Sequence, residues 1–179
     1  MLLGFRPLAR ADFPLLSQWL AAPHVETWWR EDHDLAKIED KYAPCVDGVE
    51  ATEVFVTEGD HEPIGLIQRY RIADYPDWER AVAAGSAMPS AVGIDYLIGV
   101  ETFVGQGLGP QIIDRFVQET WNRYPDCPAV VVDVLQANRR SWRALEKAGF
   151  ERRWAGTIDS DDLSDEGPSY LYVRHRPTP

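Results

Sequence analysis

The spacing of apolar side chains along the chain predicts short strands interleaved with helices. Residues 2–6 read as a short strand, and Asp12 then stands as the N-cap of a helix over residues 13–21. Residues 24–32 mix aromatic and charged side chains and lead into a second helix over residues 34–46. Residues 53–57 and 64–71 are strand-like, and Gly59-Asp60-His61-Glu62-Pro63 between them has turn chemistry. Residues 74–89 are polar and rich in Pro, Gly and Ala, and read as an excursion before a strand over 92–98. After Gly105, Leu108, Ile112 and Phe116 recur at i, i+4, as do Ile113 and Val117, which marks the apolar face of a helix. Residues 129–134 are apolar without a break, as in a strand covered on both faces. A short helix over 141–148 stops at Gly149, and strands over 151–158 and 170–175 close the chain. This alternation predicts an α/β or α+β sheet covered by helices.

Composition narrows the classes. A chain of 179 residues, 45% hydrophobic and 11% aromatic, has the make-up of a folded domain, expected to be one unit over residues 1–179. No apolar run approaches the roughly 18 residues that span a bilayer. The apolar stretch at the start is too short for a secretory signal, so a cytoplasmic location is expected. Cys45 and Cys127 lie far apart with no second ligand pair nearby, which supports neither a disulfide framework nor a zinc site; no metal is expected. The net charge of -11 argues against nucleic acid, whose phosphates need clustered Lys and Arg. It leaves two readings, plain solubility or a surface suited to a polycation.

Chemistry concentrates in Gly105-Gln106-Gly107-Leu108-Gly109, which joins a strand to an amphipathic helix. Glycines there permit positive φ and close approach of a ligand to the backbone. Unpaired first-turn amides and the helix dipole favour a pyrophosphate. Pro110 stands where a Walker lysine would be needed, and the strand comes too late in the chain for a dinucleotide fingerprint. A second segment, Asn138 through Glu146-Lys147-Ala148-Gly149-Phe150, follows the apolar strand. Taken together, Val104-Gly105-Gln106-Gly107-Leu108-Gly109 and this segment resemble the two signatures of the GNAT N-acetyltransferases, in order and separation.

That resemblance implies a mixed, mostly antiparallel sheet of about six or seven strands, splayed in the middle, with helices on both faces. It implies acetyl-coenzyme A as co-substrate. The pyrophosphate would rest on the amides of Gln106, Gly107, Leu108, Gly109 and Pro110, with Gly105 also in the cofactor-binding turn and Val104 at a position that usually carries Arg or Gln. Leu97 and Ile98 would lie where the sheet splays beside the pantetheine, one of their amides donating to the thioester carbonyl. Asn138 and Ser141 would contact the cofactor arm.

Further pieces resemble the aminoglycoside 6′-N-acetyltransferases: Trp19-Leu20-Ala21-Ala22-Pro23-His24 to Trp28-Trp29, Lys41-Tyr42-Ala43-Pro44, Glu62-Pro63-Ile64-Gly65, Gly93-Ile94-Asp95, Asp133 five before Asn138, and Gly167-Pro168. Siderophore and hydroxylysine acyltransferases share several of them. An aminoglycoside carries several ammonium groups on sugar rings, so its site needs scattered carboxylates and a flat apolar wall. Asp95, Asp133, Asp77 and Glu79 are the candidate carboxylates. The acidic run 159–166 is either a solvated loop or part of a rim. Trp28 and Trp29 are either both core, or one packs inward while the other faces sugar rings. Tyr42 is either core or ligand wall, and His24 is expected to be structural. The expected acceptor is a small polycationic amine, an aminoglycoside acetylated at the 6′ position, with a siderophore-type or other amine as the alternative. Val104 and Leu145 together also leave open a non-catalytic acyl-coenzyme A sensor, and the chain is expected to be a monomer or homodimer.

By the same resemblance Asp95 is the candidate base, acting directly, through water, or by orienting the amine. The position that usually holds a tyrosine acid carries Leu145, which leaves Tyr96, Tyr170 and Tyr172 as substitutes. Direct transfer in a ternary complex is expected, since neither cysteine has an evident base beside it.

Overall fold

The computed structural model describes residues 1–83, 88, 90–160 and 162–177. Seven strands hydrogen-bond in the order β1-β2-β3-β4-β5-β7-β6. They are β1 (Leu3–Pro7), β2 (Glu53–Gly59), β3 (Glu62–Arg71), β4 (Val92–Ile98), β5 (Ala129–Leu135), β6 (Glu151–Thr157) and β7 (Pro168–His175). The helices are α1 (Phe13–Leu20), α2 (Pro23–Trp29), α3 (Leu35–Val46), α4 (Pro76–Val82), α5 (Leu108–Arg123) and α6 (Arg139–Lys147). The sheet is mostly antiparallel; β4 and β5 pair in parallel through Val92↔Val130 and Gly93↔Val131. None of the helices among the described residues is long and apolar enough to cross a membrane.

The described residues cluster into two compact units. The first comprises Met1–Arg69 with Asp95–Val104, and the second Tyr70–Ile94 with Gly105–Pro179. In the first unit, α1 buries Phe13, Leu16 and Leu20 on one stripe against Ile38 and Tyr42 of α3 and the strand residues Val56 and Leu66. Asp12 does stand at the N-cap of α1, yet its carboxylate does not cap the helix. It takes both Nη atoms of Arg6 at 2.7 and 2.8 Å and the Ala9 amide at 2.9 Å. The Arg6 guanidinium holds this carboxyl below its usual range. Asp34 caps α3 in the ordinary way, accepting from the Ala36 amide at 2.8 Å.

Two segments differ from the sequence reading. Residues 24–32 are not a plain connection: Pro23 at the first turn opens α2, Val25 buries, and the helix stops at Arg30 in the left-handed region at φ 51°. The excursion 74–89 likewise contains α4, on which Trp78 and Val82, four apart, pack against Ile72, Val131 and Leu171 in the second unit. Residues 84–87 and 89 of that excursion, and Asp161 of the acidic run, lie outside the described residues.

Candidate functional site

In the first unit the end of β4 is held in place from three sides. Gly65 comes so close to the Leu97 carbonyl that any side chain there would collide with it, and Trp19 lies against Gly99 in the same way. His24 of α2 meets the Ile98 carbonyl at 2.9 Å; a carbonyl only accepts, so Nε2 carries the hydrogen. The Gly99 amide donates to Ile64 at 2.9 Å. Leu97 is buried and Ile98 half-buried, so this strand end is preset rather than adaptable.

Asp95 sits on β4 two residues before Leu97, half-buried, and its Oδ2 accepts from Gln68 Nε2 at 2.9 Å. A second carboxylate of this unit, Glu31, is only 13% exposed and takes Lys41 Nζ at 2.7 Å and the Tyr42 hydroxyl at 2.8 Å. Tyr42 is 2% exposed, a core residue whose hydroxyl is committed to Glu31. Burial and the Glu31 charge push that hydroxyl well above its ordinary range, so it stays protonated. Trp29 packs against the core of this unit, whereas Trp28 next to it is half-buried outside that cluster. Sequence reasoning missed both Gln68 and Glu31. An isolated glutamine on a strand gives no signal, and Glu31 reads as one more charge in an acidic stretch. Val104 follows a 3-10 turn at Glu101–Phe103 and is half-buried.

The second unit carries the glycine turn. Gly105 and Gly107 have φ of +80° and +76°, and a Cβ at either would meet nothing within 4 Å. The turn is exposed, and Gly107 is the N-cap of the 16-residue α5. Gln111 Nε2 returns to the Gly107 carbonyl at 3.1 Å, which fixes the first turn. At Gly109 an added Cβ would come within 3.4 Å of the Ala144 methyl, so α5 and α6 pack closely at this end. A helix N-terminus and open space at both glycines suit an anionic phosphate group. Pro110 leaves the expected donor set, because proline has no N–H, and the candidates that remain are the amides up to Gly109.

Asn138 caps α6, its Oδ1 accepting from the Ser141 amide at 3.2 Å. Its side-chain NH2 group is the part left for a ligand. Asp133, on β5 opposite Leu171, is half-buried and not without a partner in the protein. Asp77 and Glu79 fall in the first turn of α4, where Asp77 pairs with Arg80 at the surface. The acidic run holds a short 3-10 turn, Leu163–Asp165, capped by Asp162.

Leu145 is fully buried in α6, so that position offers no acid. The Tyr172 hydroxyl donates to Glu146 at 2.9 Å, and burial with that carboxylate pushes it up to about 12. Tyr170 stacks edge-on between Trp142 and Tyr172, with the Arg152 guanidinium 4.5 Å from its ring centre. Burial pushes the thiols of Cys45 and Cys127 upward, which keeps both as weak nucleophiles.

The acetyltransferase (GNAT) domain family matches residues 9–158. The aminoglycoside N(6′)-acetyltransferase type 1 of Klebsiella pneumoniae is 30% identical over 176 residues, 96% of this chain and 82% of that protein. A lysine N-acyltransferase, MbtK, of Mycobacterium tuberculosis is 24% identical over 155 residues, 82% of this chain and 67% of that one. A crystal structure of the aminoglycoside acetyltransferase AAC(6′)-Ib in complex with coenzyme A and kanamycin superposes with a TM-score of 0.84 at 29% identity. It covers 98% of this chain and 95% of its own.

Proposed function

The chain belongs to the GNAT acetyltransferase family, and from that premise we propose that it moves the acetyl group of acetyl-coenzyme A onto the 6′-amine of an aminoglycoside. The observation that carries the substrate class is 30% identity to an aminoglycoside 6′-acetyltransferase along 96% of the chain. The net charge of -11 supports a polycationic acceptor.

The glycine turn fits the cofactor. The amides from Gly105 to Gly109 hold its pyrophosphate, and the Asn138 carboxamide and Ser141 contact its arm. Loss of a side-chain contact at Val104 weakens this grip only modestly, since the backbone supplies most of it. Leu97 or Ile98, at the clamped end of β4, donates an amide hydrogen to the thioester oxygen as charge develops there.

Asp95 takes a proton from the acceptor ammonium, directly or through one water, and the neutral nitrogen attacks the thioester carbon. The new bond is C–N and the bond lost is C–S; the nitrogen gives up its second proton to solvent as the amide forms, and the sulfur leaves as a thiolate, which solvent protonates. Tyr172 is poorly suited to that last step, because its proton is held by Glu146. Asp133, Asp77 and Glu79 bind the remaining ammonium groups, and Trp28 offers a face to the sugar rings. Direct transfer is supported by the two raised thiols, which disfavour an acyl-cysteine. Two free thiols also suit a reducing cytoplasm.

Similarity to the lysine acyltransferase favours a second reading, acylation of a lysine-type amine. Coenzyme A release, followed as free thiol, separates the two. Release with kanamycin and none with Nε-hydroxylysine supports the aminoglycoside; the reverse supports the alternative.

A further inference from the structure

We propose that Gln68 is a positioning residue that aims the Asp95 carboxylate and keeps it ionised as the proton acceptor. This rests on the reading of Asp95 as the group that takes the ammonium proton. Gln68 on β3 and Asp95 on β4 are 27 positions apart in sequence, and the fold brings Nε2 to 2.9 Å from Oδ2. A carboxylate accepts and never donates, so the amide nitrogen is the atom facing it. Both side chains are half-buried, where such a bond is less diluted by water than at the surface.

The chemistry of the donor matters. A guanidinium at this place would stabilise the carboxylate so strongly that it would resist taking a proton. A hydrocarbon would leave it free to turn and easier to neutralise by burial. A neutral amide does neither: it fixes Oδ2 and favours the charged form moderately.

Other titratable groups of the same unit are engaged with partners of their own. From α3, the Tyr42 hydroxyl feels the Asp95 charge but remains protonated. Glu31 divides its charge between Lys41 and Tyr42, at 2.7 and 2.8 Å. From α2, His24 is bound to the Ile98 carbonyl farther along β4, and Tyr96 follows Asp95 directly on the strand.

The alternative is a cross-strand pair that only fastens β3 to β4, and the pH profile distinguishes the two. Gln68→Leu keeps roughly the same volume and removes the donor. It is expected to lower kcat with kanamycin about tenfold and to move the acid limb of kcat/KM upward by about one pH unit, a tenfold change in the ionised fraction. The Kd for acetyl-coenzyme A stays at the wild-type value. Gln68→Glu keeps glutamine's shape, serves if the Leu variant does not fold, and moves the limb further up by adding a second carboxylate. Asp95→Asn is measured beside them, with thermal melting recorded for all three. Acid limbs at the wild-type pH in both Gln68 variants, with Asp95→Asn inactive, overturn the role of Gln68 and leave Asp95 standing. Turnover retained in Asp95→Asn overturns the reading of Asp95 and the role of Gln68 with it.

Discussion

Gly107→Ala and Gly48→Ala make a matched pair that isolates what the glycine turn does. Gly107 has φ +76° and Gly48 has φ +71°, and an added Cβ at either site meets nothing within 4 Å. Neither substitution therefore causes a clash. Each costs only the left-handed backbone penalty of an L-residue, about 1–2 kcal/mol. Gly48 stops α3, where the Val49 and Glu50 amides both donate to Pro44, at 2.8 and 3.1 Å. Gly107 starts α5. A phosphate oxygen bound to an amide of that turn needs its nitrogen within about 3 Å, and a methyl group on Gly107 intrudes on that approach. Urea unfolding should show similar losses of stability for the two variants. Calorimetric titration with acetyl-coenzyme A should show at least a tenfold rise in Kd, about 1.4 kcal/mol, for Gly107→Ala and none for Gly48→Ala. Equal Kd values in the two variants would refute the assignment of this turn to the phosphates.

Two further outcomes follow from the polar contacts. The Tyr172 hydroxyl is raised to about 12 in the folded protein, against about 10 when unfolded, so the folded state holds this proton more tightly. Its contribution is fully present below pH 10 and is lost as pH rises toward 12. Wild type should therefore lose about 1–2 kcal/mol more than Tyr172→Phe over that range in urea titrations, allowing for solvent near the hydroxyl. Tyr42→Phe removes the buried bond to Glu31 and should destabilise the protein by about 1–3 kcal/mol at neutral pH. An unchanged urea midpoint would mean that Lys41 alone satisfies Glu31.

Periodicity made the main elements legible, because burial on one face is written directly into residue spacing. The i, i+4 pairs of α5 and the unbroken apolar run of β5 both appear where expected. The misread segments have local causes. Trp78 and Val82 lie four apart on α4, but the alanines, glycine and prolines around them mask the stripe. In α2 a proline at the first turn looks like a breaker when it is a start signal, and the tryptophans at its end are then taken for loop residues. Asp12 occupies a cap position, and nothing in the local sequence shows that Arg6 will claim it. At the candidate site, the positive φ of the turn was readable from its glycines, whereas the capping of α6 by Asn138 was not read. Nor was Gln68, since its meaning comes from a partner 27 positions away.

The most direct test of the central claim compares kanamycin, which carries a 6′-amine, with paromomycin, which has a hydroxyl there, at saturating acetyl-coenzyme A. The account predicts one thiol released per kanamycin acetylated, and no release with paromomycin, which instead competes with kanamycin. Equal release from both, or none from kanamycin by protein that binds acetyl-coenzyme A tightly, would contradict it.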